Sequence, residues 1–265
     1  MTNPSLATDI AGRRVPGLGG FNLTVLKLEV RRLTRNRRTM IFAIAFPVFF
    51  FLLFGLSQNY DKLRAGHGNV SAFVMISLAL YGGVISTTFG GAMVSIERAQ
   101  GWSRQLRLTP LSPVAYIVIK VLTALVLGAT SVAAVYIVGA VTGKASMSVG
   151  LWIGTGLSVW IGSLLFAAFG LFLGYLLPAE NAMQFLGMIL ALLSFAGGLF
   201  IPVSQYPVPV QDVAKWTPLY GLNQLVHTPL LGNGVDWTWV VNVLTWLVIF
   251  TGGAIWRFRK DTARV

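Results

Sequence analysis

The chain has 265 residues, of which 55% are hydrophobic and 11% charged, whereas soluble domains carry about 25% charged residues. Apolar runs of about 20 residues, each long enough to cross a bilayer as a helix, recur along it, so we predict an all-α polytopic membrane protein rather than an enzyme. The absence of cysteine excludes disulfides, thiolate metal sites and cysteine nucleophiles, and we take the formal charge of +12 as a guide to membrane orientation, not to nucleic acid.

The N-terminal region is predicted to lie on the cytoplasmic side. Residues 1–20 contain Gly and Pro without periodicity, which indicates a flexible tail, and no cleavable signal peptide is apparent. Residues 21–38 predict an amphipathic helix in the headgroup layer, where it would contact membrane lipid. Four basic residues share one face of that helix: Lys27, Arg31, Arg35 and Arg38. The alternative is a plain positive flank of the first span, because Glu29 and Arg32 interrupt the apolar face.

Six transmembrane helices are predicted within a membrane domain that covers residues 39–257. They lie at about 40–57, 71–96, 114–139, 150–177, 182–201 and 237–256, and residues 258–265 form a cytoplasmic tail. Ser112 and Pro113 suit the first positions of the third helix. Fifteen of the 20 lysines and arginines fall on the side of the termini, so the positive-inside rule places both termini in the cytoplasm.

The segment over residues 202–236 is unlike the spans. It holds five prolines yet remains apolar, at positions 202, 207, 209, 218 and 229. A straight span would not tolerate so many prolines, and irregular backbone in lipid must be covered by protein or water. We therefore predict short helices that enter the outer leaflet and return.

Several kinds of chemistry lack the residues that they need. The six predicted spans contain no Asp, Glu or His, which argues against a proton-coupled transporter. His67 and His227 are predicted in outer loops without metal-spaced partners, so we expect no catalytic residue and no metal site. The sequence VGAVTGKAS at 138–146 lacks the first glycine and the Ser or Thr of a P-loop, so we expect no bound cofactor in this chain.

Two sets of residues are candidates either for helix packing or for lining a pathway. A row of small residues in the second span, at a spacing of four, consists of Gly83, Thr87 and Gly91. Aromatic residues of the first and fifth spans that could stack on an apolar compound, or face lipid, are Phe46, Phe50, Phe195 and Phe200.

The polar loop between the second and third spans has a helical pattern of its own. Its sequence, ERAQGWSRQLRLTPLSP, predicts a short amphipathic helix over 97–109 that ends before Pro110. Trp102 lies on its apolar face, and Arg104 and Arg107 lie on the opposite face with Glu97. Two hypotheses remain open: a helix that rests on lipid headgroups, or one that docks on a cytoplasmic partner protein.

Two motifs resemble those of ABC-2 type exporter permeases, most closely the daunorubicin-resistance type. The first consists of Glu97-Arg98, Gly101, Leu106, the sequence LTPLSP at 108–113, and Lys120. The second consists of FAGGLFIPVSQYPVPV at 195–210 followed by WTPLYGLNQLV at 216–226. The likeness runs from about residue 21 onward, with Trp102 as a departure where members often have a small polar residue.

The resemblance implies an ABC-2 (type V) exporter fold with an interfacial N-terminal helix and a coupling helix at 97–109. It implies two copies of a separate ABC ATPase, which would bind ATP and Mg²⁺, and a second permease copy in a homodimer or heterodimer. The residues that would couple to the ATPase are Glu97, Arg98, Gly101, Trp102, Arg104 and Arg107. In that reading, Glu97 and Arg98 anchor the loop.

The predicted function is then that of a permease subunit in an ATP-driven exporter. It would move an amphipathic or lipid-like compound, such as a drug, an antibiotic or a lipid, out across the cytoplasmic membrane. The alternatives are a gradient-driven carrier or channel that works without an ATPase, and a scaffold protein without transport.

Overall fold

A computed structural model of the protein describes residues 17–56, 59–102 and 111–263. The described chain is almost entirely helical, which confirms the all-α prediction. The helices are α1 (Leu23–Arg35), α2 (Arg37–Phe50), α3 (Val70–Ala92), α4 (Val94–Ala99), α5 (Pro113–Thr142), α6 (Val149–Gly162), α7 (Leu164–Leu176), α8 (Ala179–Ala196), α9 (Val208–Ala214), α10 (Pro218–Leu231) and α11 (Trp237–Ala263). Two short strands, β1 (Arg64–Ala65) and β2 (Gly68–Asn69), form an antiparallel hairpin.

Five helical stretches in the described residues are long and apolar enough to cross a membrane. They are Val70–Ala99, Val114–Thr142, Val149–Leu176, Ala179–Ala196 and Trp237–Lys260. A shorter apolar helix at Ala43–Gly55 corresponds to the predicted first span, and its last turn, Phe51–Gly55, is π-helical. The protein is therefore a multi-pass membrane protein, and the count of six spans stays a prediction that depends on this shorter helix.

The two ends of the helical bundle are named here by the elements that lie there. We call the end that carries the β1–β2 hairpin the hairpin end, and the opposite end, where α1 and α4 lie, the base.

The interfacial helix at the base was predicted over 21–38, but α1 ends at Arg35. Asn36 leaves helical geometry with a ψ of 89° and donates its amide hydrogen to the Leu33 carbonyl oxygen, so Arg38 belongs to α2.

Side chains cap the long helices where the sequence supplies a polar residue before an apolar run. The Ser112 hydroxyl accepts from the Ala115 amide at 3.2 Å, and Pro113 follows at the first position of α5, as predicted. Asn69 caps α3 by accepting from the Ala72 amide at 2.9 Å. Gly143 ends α5 with a φ of 63°, a left-handed conformation that glycine adopts without strain.

Helix α3 lies at the centre of the bundle because small residues let its neighbours approach its backbone. A methyl group at Gly90 would lie 3.0 Å from the Cα of Ala124 in α5. A methyl group at Gly91 would lie 2.5 Å from the Ala167 carbonyl oxygen in α7. These distances leave no room for a side chain, so α3 can pack this closely only with glycine at these positions.

Gly91→Ala is therefore expected to lower the thermal unfolding temperature of the purified chain. The added methyl group forces α3 and α7 apart, and overpacking of this kind costs about 1–3 kcal/mol. The matched control is Gly154→Ala in α6, where a methyl group meets nothing within 4 Å and should leave the unfolding temperature unchanged or slightly higher. Equal unfolding temperatures for the two variants in detergent would contradict this close packing.

The segment 202–236 folds at the hairpin end as a 3-10 turn at Val203–Gln205, followed by α9 and α10. His227, which was predicted in a loop, lies within α10 and is only 2% exposed. Its Nε2 is 3.1 Å from the Ser77 hydroxyl of α3, and its Nδ1 is 2.8 Å from the Asn223 carbonyl oxygen. The prediction was wrong because the helix begins with Pro218 at its first turn and continues through Pro229, so His227 is part of a helix rather than of a loop.

Candidate functional site

The predicted ATPase-coupling segment begins at the base of the bundle, where α3 and α4 end. Prediction started a separate helix at Glu97, but Glu97 and Arg98 belong to α4, which continues to Ala99. Gly101 then adopts a φ of 79°, so the chain turns before Trp102. Arg104 and Arg107 lie outside the described residues.

Glu97 is the centre of a buried ionic cluster at this turn. Its side chain is 5% exposed, and one carboxylate oxygen accepts a hydrogen bond from the Lys120 ammonium at 2.6 Å. The other oxygen accepts from the Tyr116 hydroxyl at 2.6 Å, and the Arg32 guanidinium also donates to Glu97. Both carboxylate oxygens of a buried acid are thus paired, as burial of a charge requires.

Lys120 connects the cluster to the interfacial helix. Its side chain is 4% exposed, and its ammonium donates to Glu29 of α1 at 2.7 Å as well as to Glu97 of α4. Arg32 lies 3.5 Å from Glu29 on the same helix. We call Glu29, Arg32, Glu97, Tyr116 and Lys120 the base cluster.

The base cluster is electrically balanced. Two carboxylates face two cations, and the Tyr116 hydroxyl fills the remaining acceptor position on Glu97. Partial burial is the largest single influence on Arg32 and opposes its charged form, but the hydrogen bond to Glu97 and the attraction of the Glu97 and Glu29 carboxylates together outweigh it and raise the pKa of the guanidinium. Loss of one charged member would leave a net charge in this largely buried cluster, which is the costly outcome for a buried ion pair.

Arg98 attaches the same helix to α7. Its guanidinium donates to the Tyr175 carbonyl oxygen at 2.8 Å and to the Gly174 carbonyl oxygen at 3.3 Å, at the C-terminal end of α7. Carbonyl groups at a helix C-terminus lack helical partners and carry partial negative charge, so a cation is favoured there. Consecutive residues of α4 therefore hold α1 and α5 on one side and α7 on the other.

The predicted contact residues around the turn are partly exposed. Trp102 is 38% exposed, and the Arg32 guanidinium lies 5.9 Å from its ring centroid. Lys27, Arg31 and Arg35 are exposed on α1, as are the apolar side chains of Leu23 and Leu28 on the same helix. The side chain of Arg38 lies outside the described part of the chain.

Four of the predicted aromatic candidates come together around a residue that was not predicted, Tyr81 of α3. Phe46 and Phe200 lie 6.1 and 5.0 Å from the Tyr81 ring, between centroids. Phe50 packs on Phe46 at 4.7 Å, and Phe195 packs on Phe200 at 5.2 Å. The first span and the end of the fifth thus share one aromatic cluster on α3.

The small residues of α3 lie elsewhere. A methyl group at Gly83 would lie 3.3 Å from Val132 of α5, and Thr87 is fully buried, with its hydroxyl donating to the Gly83 carbonyl oxygen at 2.8 Å. Gly91 faces α7. The structure therefore separates the row of small residues, which is packed against helices, from the aromatic cluster.

A cavity of about 640 Å³ lies between α2, α3 and α8. Its lining extends from Asn36 and Ile96 near the base to Phe46 and Tyr81, and most of the lining side chains are apolar. Ser86 contributes a buried hydroxyl that has no hydrogen-bond partner in the described residues. This is a space for an elongated apolar compound with a small polar part.

Sequence reasoning found Glu97 and Lys120 but missed their partners. Glu29 and Arg32 were noted only as interruptions of an apolar helix face, and Tyr116 was not noted at all. The interruption was the available signal, since a carboxylate on the face that packs against the bundle needs a buried cation. Tyr81 had no comparable signal in the sequence.

The described residues contain no group of three His, Asp or Glu side chains that could hold a metal ion. Lys144, the lysine of the P-loop-like sequence, instead forms an ion pair with Asp61 at 2.9 Å. That pair ties the loop after α5 to the segment before the β1–β2 hairpin.

Comparison with known proteins gives two matches. Residues 22–228 match the ABC-2 type transporter family, a range that includes every residue of the base cluster. The chain is also 25% identical over 226 residues to the "Putative transport permease YvfS" of Bacillus subtilis (strain 168). The aligned region covers 84% of this chain and 90% of that protein. The predicted resemblance to ABC-2 permeases is confirmed: the chain belongs to the ABC-2 type transporter family and is the membrane subunit of a transporter.

Proposed function

We propose that the protein is the permease of an ATP-driven exporter that moves an amphipathic or lipid-like compound out across the cytoplasmic membrane. The base cluster is the observation that carries the proposal. It joins the predicted ATPase-coupling segment to α1 and α5, while Arg98 of the same segment holds α7. Membership of the ABC-2 family implies partnership with an ATPase, and a separate subunit supplies ATP hydrolysis in this proposal.

In this proposal the base faces the cytoplasm, with both termini, and the ATPase docks on the turn after α4. Trp102 and the predicted residues Arg104 and Arg107 contact the ATPase. Movement of the turn passes to α5 through the buried ion pair of Glu97 and Lys120, and to α7 through the hydrogen bonds of Arg98, because these contacts join α4 directly to both helices. Two ATPase subunits and a second permease copy complete the transporter.

The cavity between α2, α3 and α8 is the proposed substrate site. Its apolar lining suits a hydrocarbon or ring system, and the Ser86 hydroxyl offers one hydrogen bond to a polar group. The aromatic cluster around Tyr81 adjoins it through Phe46, so stacking surfaces continue from the cavity toward the hairpin end. An amphipathic compound matches this arrangement better than an ion does.

Purification of the chain from its native membranes in mild detergent tests the partnership. We expect a stoichiometric companion that carries a Walker A sequence, identified by mass spectrometry, and flux in reconstituted vesicles that requires both this companion and ATP. Flux in vesicles that contain the chain alone, driven by a substrate or ion gradient, would instead support the alternative of a carrier or channel. A companion ATPase without any flux would support the scaffold alternative.

Trp102→Ala combined with Arg104→Glu is expected to reduce ATPase retention during that purification by roughly tenfold or more, because an aromatic and a basic contact are lost together. The matched control is Trp216→Ala with Lys215→Glu at the hairpin end, where both side chains are exposed and which faces away from the ATPase in this proposal. Equal retention of the ATPase by both double variants would refute the assignment of the docking site.

A further inference from the structure

A second cleft, of about 520 Å³, lies at the hairpin end and takes no part in the proposed transport path. One wall is formed by residues 61–69, which include the β1–β2 hairpin, and the other by residues 146–148, which precede α6. The polar side chains of its lining on which ligand binding would depend are Lys62, Arg64, His67 and Ser148. We call this space the hairpin cleft.

The walls of the hairpin cleft are held in place by Asn69, which is 6% exposed. Its side-chain oxygen accepts from the Ala72 and Ser146 amides, at 2.9 and 3.0 Å, and its side-chain nitrogen donates to the Lys144 carbonyl oxygen at 2.7 Å. One amide side chain thus bonds both walls, with its acceptor and donor groups engaged. The cleft is therefore a fixed feature of the fold rather than a gap between two independent loops.

The charges that face the cleft are mainly positive. Asp61, the acidic residue in its lining, is paired with Lys144 at 2.9 Å, and that hydrogen bond lowers the pKa of the Asp61 carboxyl, so this pair contributes no net charge. The side chains of Lys62 and Arg64 are exposed, and neither makes a hydrogen bond or an ion pair with any residue that the structure describes. Two cations thus remain available on one rim.

Further polar groups complete the surroundings of these cations. The imidazole of His67 is part of the cleft lining and lies against Gly232. Ser148 is the N-cap residue of α6, and its hydroxyl makes no capping hydrogen bond, so the first amides of this 14-residue helix remain open to a ligand. Cations, hydroxyl and helix amides all favour the same kind of ligand, an oxyanion.

We propose that the hairpin cleft binds a phosphate group, with Lys62 and Arg64 as its charged contacts. Arginine and lysine, helix amides and a hydroxyl are the groups that bind phosphate oxygens in proteins, whereas a metal cation would be repelled by the two basic side chains. The phosphate belongs either to the headgroup of an anionic phospholipid or to a free anion. This inference does not depend on the proposed function, because it concerns binding at a site remote from the base cluster and the substrate cavity.

Hydrogen exchange of the full chain in nanodiscs tests the proposal at the level of individual segments. We expect slower amide exchange in residues 59–69 and 146–151 when phosphatidylglycerol replaces phosphatidylcholine in the disc, or when inorganic phosphate is added to phosphatidylcholine discs. Protection by phosphatidylglycerol alone identifies a lipid headgroup as the source, and protection by both identifies a general phosphate site. No protection by either probe would overturn the proposal.

The variant Lys62→Gln with Arg64→Gln is expected to weaken phosphate binding roughly 30-fold, read from the probe concentration that gives half-maximal protection. Both side chains are exposed, so the variant should show the exchange of the wild type in phosphatidylcholine discs without added phosphate. Lys27→Gln with Arg31→Gln removes the same charge at the base and should retain the protection at the hairpin cleft. Protection that survives in the Lys62 and Arg64 variant would also overturn the proposal.

Discussion

Replacing Lys120 by methionine is expected to destabilise the folded chain by about 3–5 kcal/mol, a larger loss than most single substitutions produce. Methionine has a similar length, so the main change is the loss of the ammonium that Glu97 and Glu29 share. Two buried or half-buried carboxylates would then have Arg32 as their remaining charged partner. The measurement is thermal unfolding in detergent, where a loss of this size corresponds to a shift of roughly 6–15 °C.

The double variant Glu97→Gln with Lys120→Met distinguishes a buried charge imbalance from simple loss of packing. Glutamine still accepts from Tyr116, and Glu29 keeps Arg32 as its partner, so the double variant should be more stable than Lys120→Met alone. Lys215→Met serves as the control, because Lys215 forms an exposed ion pair with Asp212 that water and salt screen, so its loss should leave the unfolding temperature almost unchanged. A double variant that is less stable than Lys120→Met would contradict our account of the base cluster.

Gly187→Trp is expected to block transport while leaving the protein folded. Gly187 lines the proposed substrate cavity, and a Cβ added there meets nothing within 4 Å, so the backbone has open space from which an indole can extend into the cavity. Occupying space that a substrate needs weakens its binding by about 1–3 kcal/mol, equivalent to a fall in kcat/KM of roughly 5-fold to 150-fold.

The measurement is ATP-dependent uptake into inside-out vesicles by the complete transporter. Its probe is the compound, from a panel of amphipathic drugs and fluorescent phospholipids, that most stimulates the ATPase. Gly187→Ala should transport like the wild type because a methyl group leaves the cavity open. Gly252→Trp in α11 is the matched control. A Cβ added at Gly252 also meets nothing within 4 Å, but this position lies outside the cavity lining. Full transport by Gly187→Trp, with the ATPase still bound, would exclude this cavity as the pathway.

The sequence allowed the fold class and the family to be predicted because both depend on local patterns. Continuous apolar runs indicate helices in a membrane whatever their partners, and Ser112 with Pro113 marks a helix start by itself. Two helix breaks were missed, at Asn36 and at Gly101. At each of them a single residue leaves helical geometry, although the amphipathic pattern of the sequence continues beyond it. His227 was missed for the opposite reason: it was assigned to an outer loop, whereas α10 continues past it and through Pro229.

Half of the candidate site was beyond sequence reasoning for a physical reason. Glu29 and Lys120 are 91 positions apart, and their pairing depends on how α1 packs against α5, which no local pattern encodes. Phe46 and Tyr81 lie on two separate helices, Phe200 lies in the bend after α8, and the three meet for the same reason. Residue type did indicate which groups need partners, and three-dimensional packing determined which partners they found.

The balanced charge of the base cluster has a consequence for how the transporter responds to ionic strength. Salt screens charges in water over a Debye length of about 8 Å at 0.15 M and 3 Å at 1 M, but it screens buried pairs much less. The Glu97–Lys120 pair is therefore shielded from salt by the protein itself, whereas exposed arginines at the same end are not. If the ATPase docks on the base as proposed, concentrated salt should strip it from the permease and leave the permease itself folded.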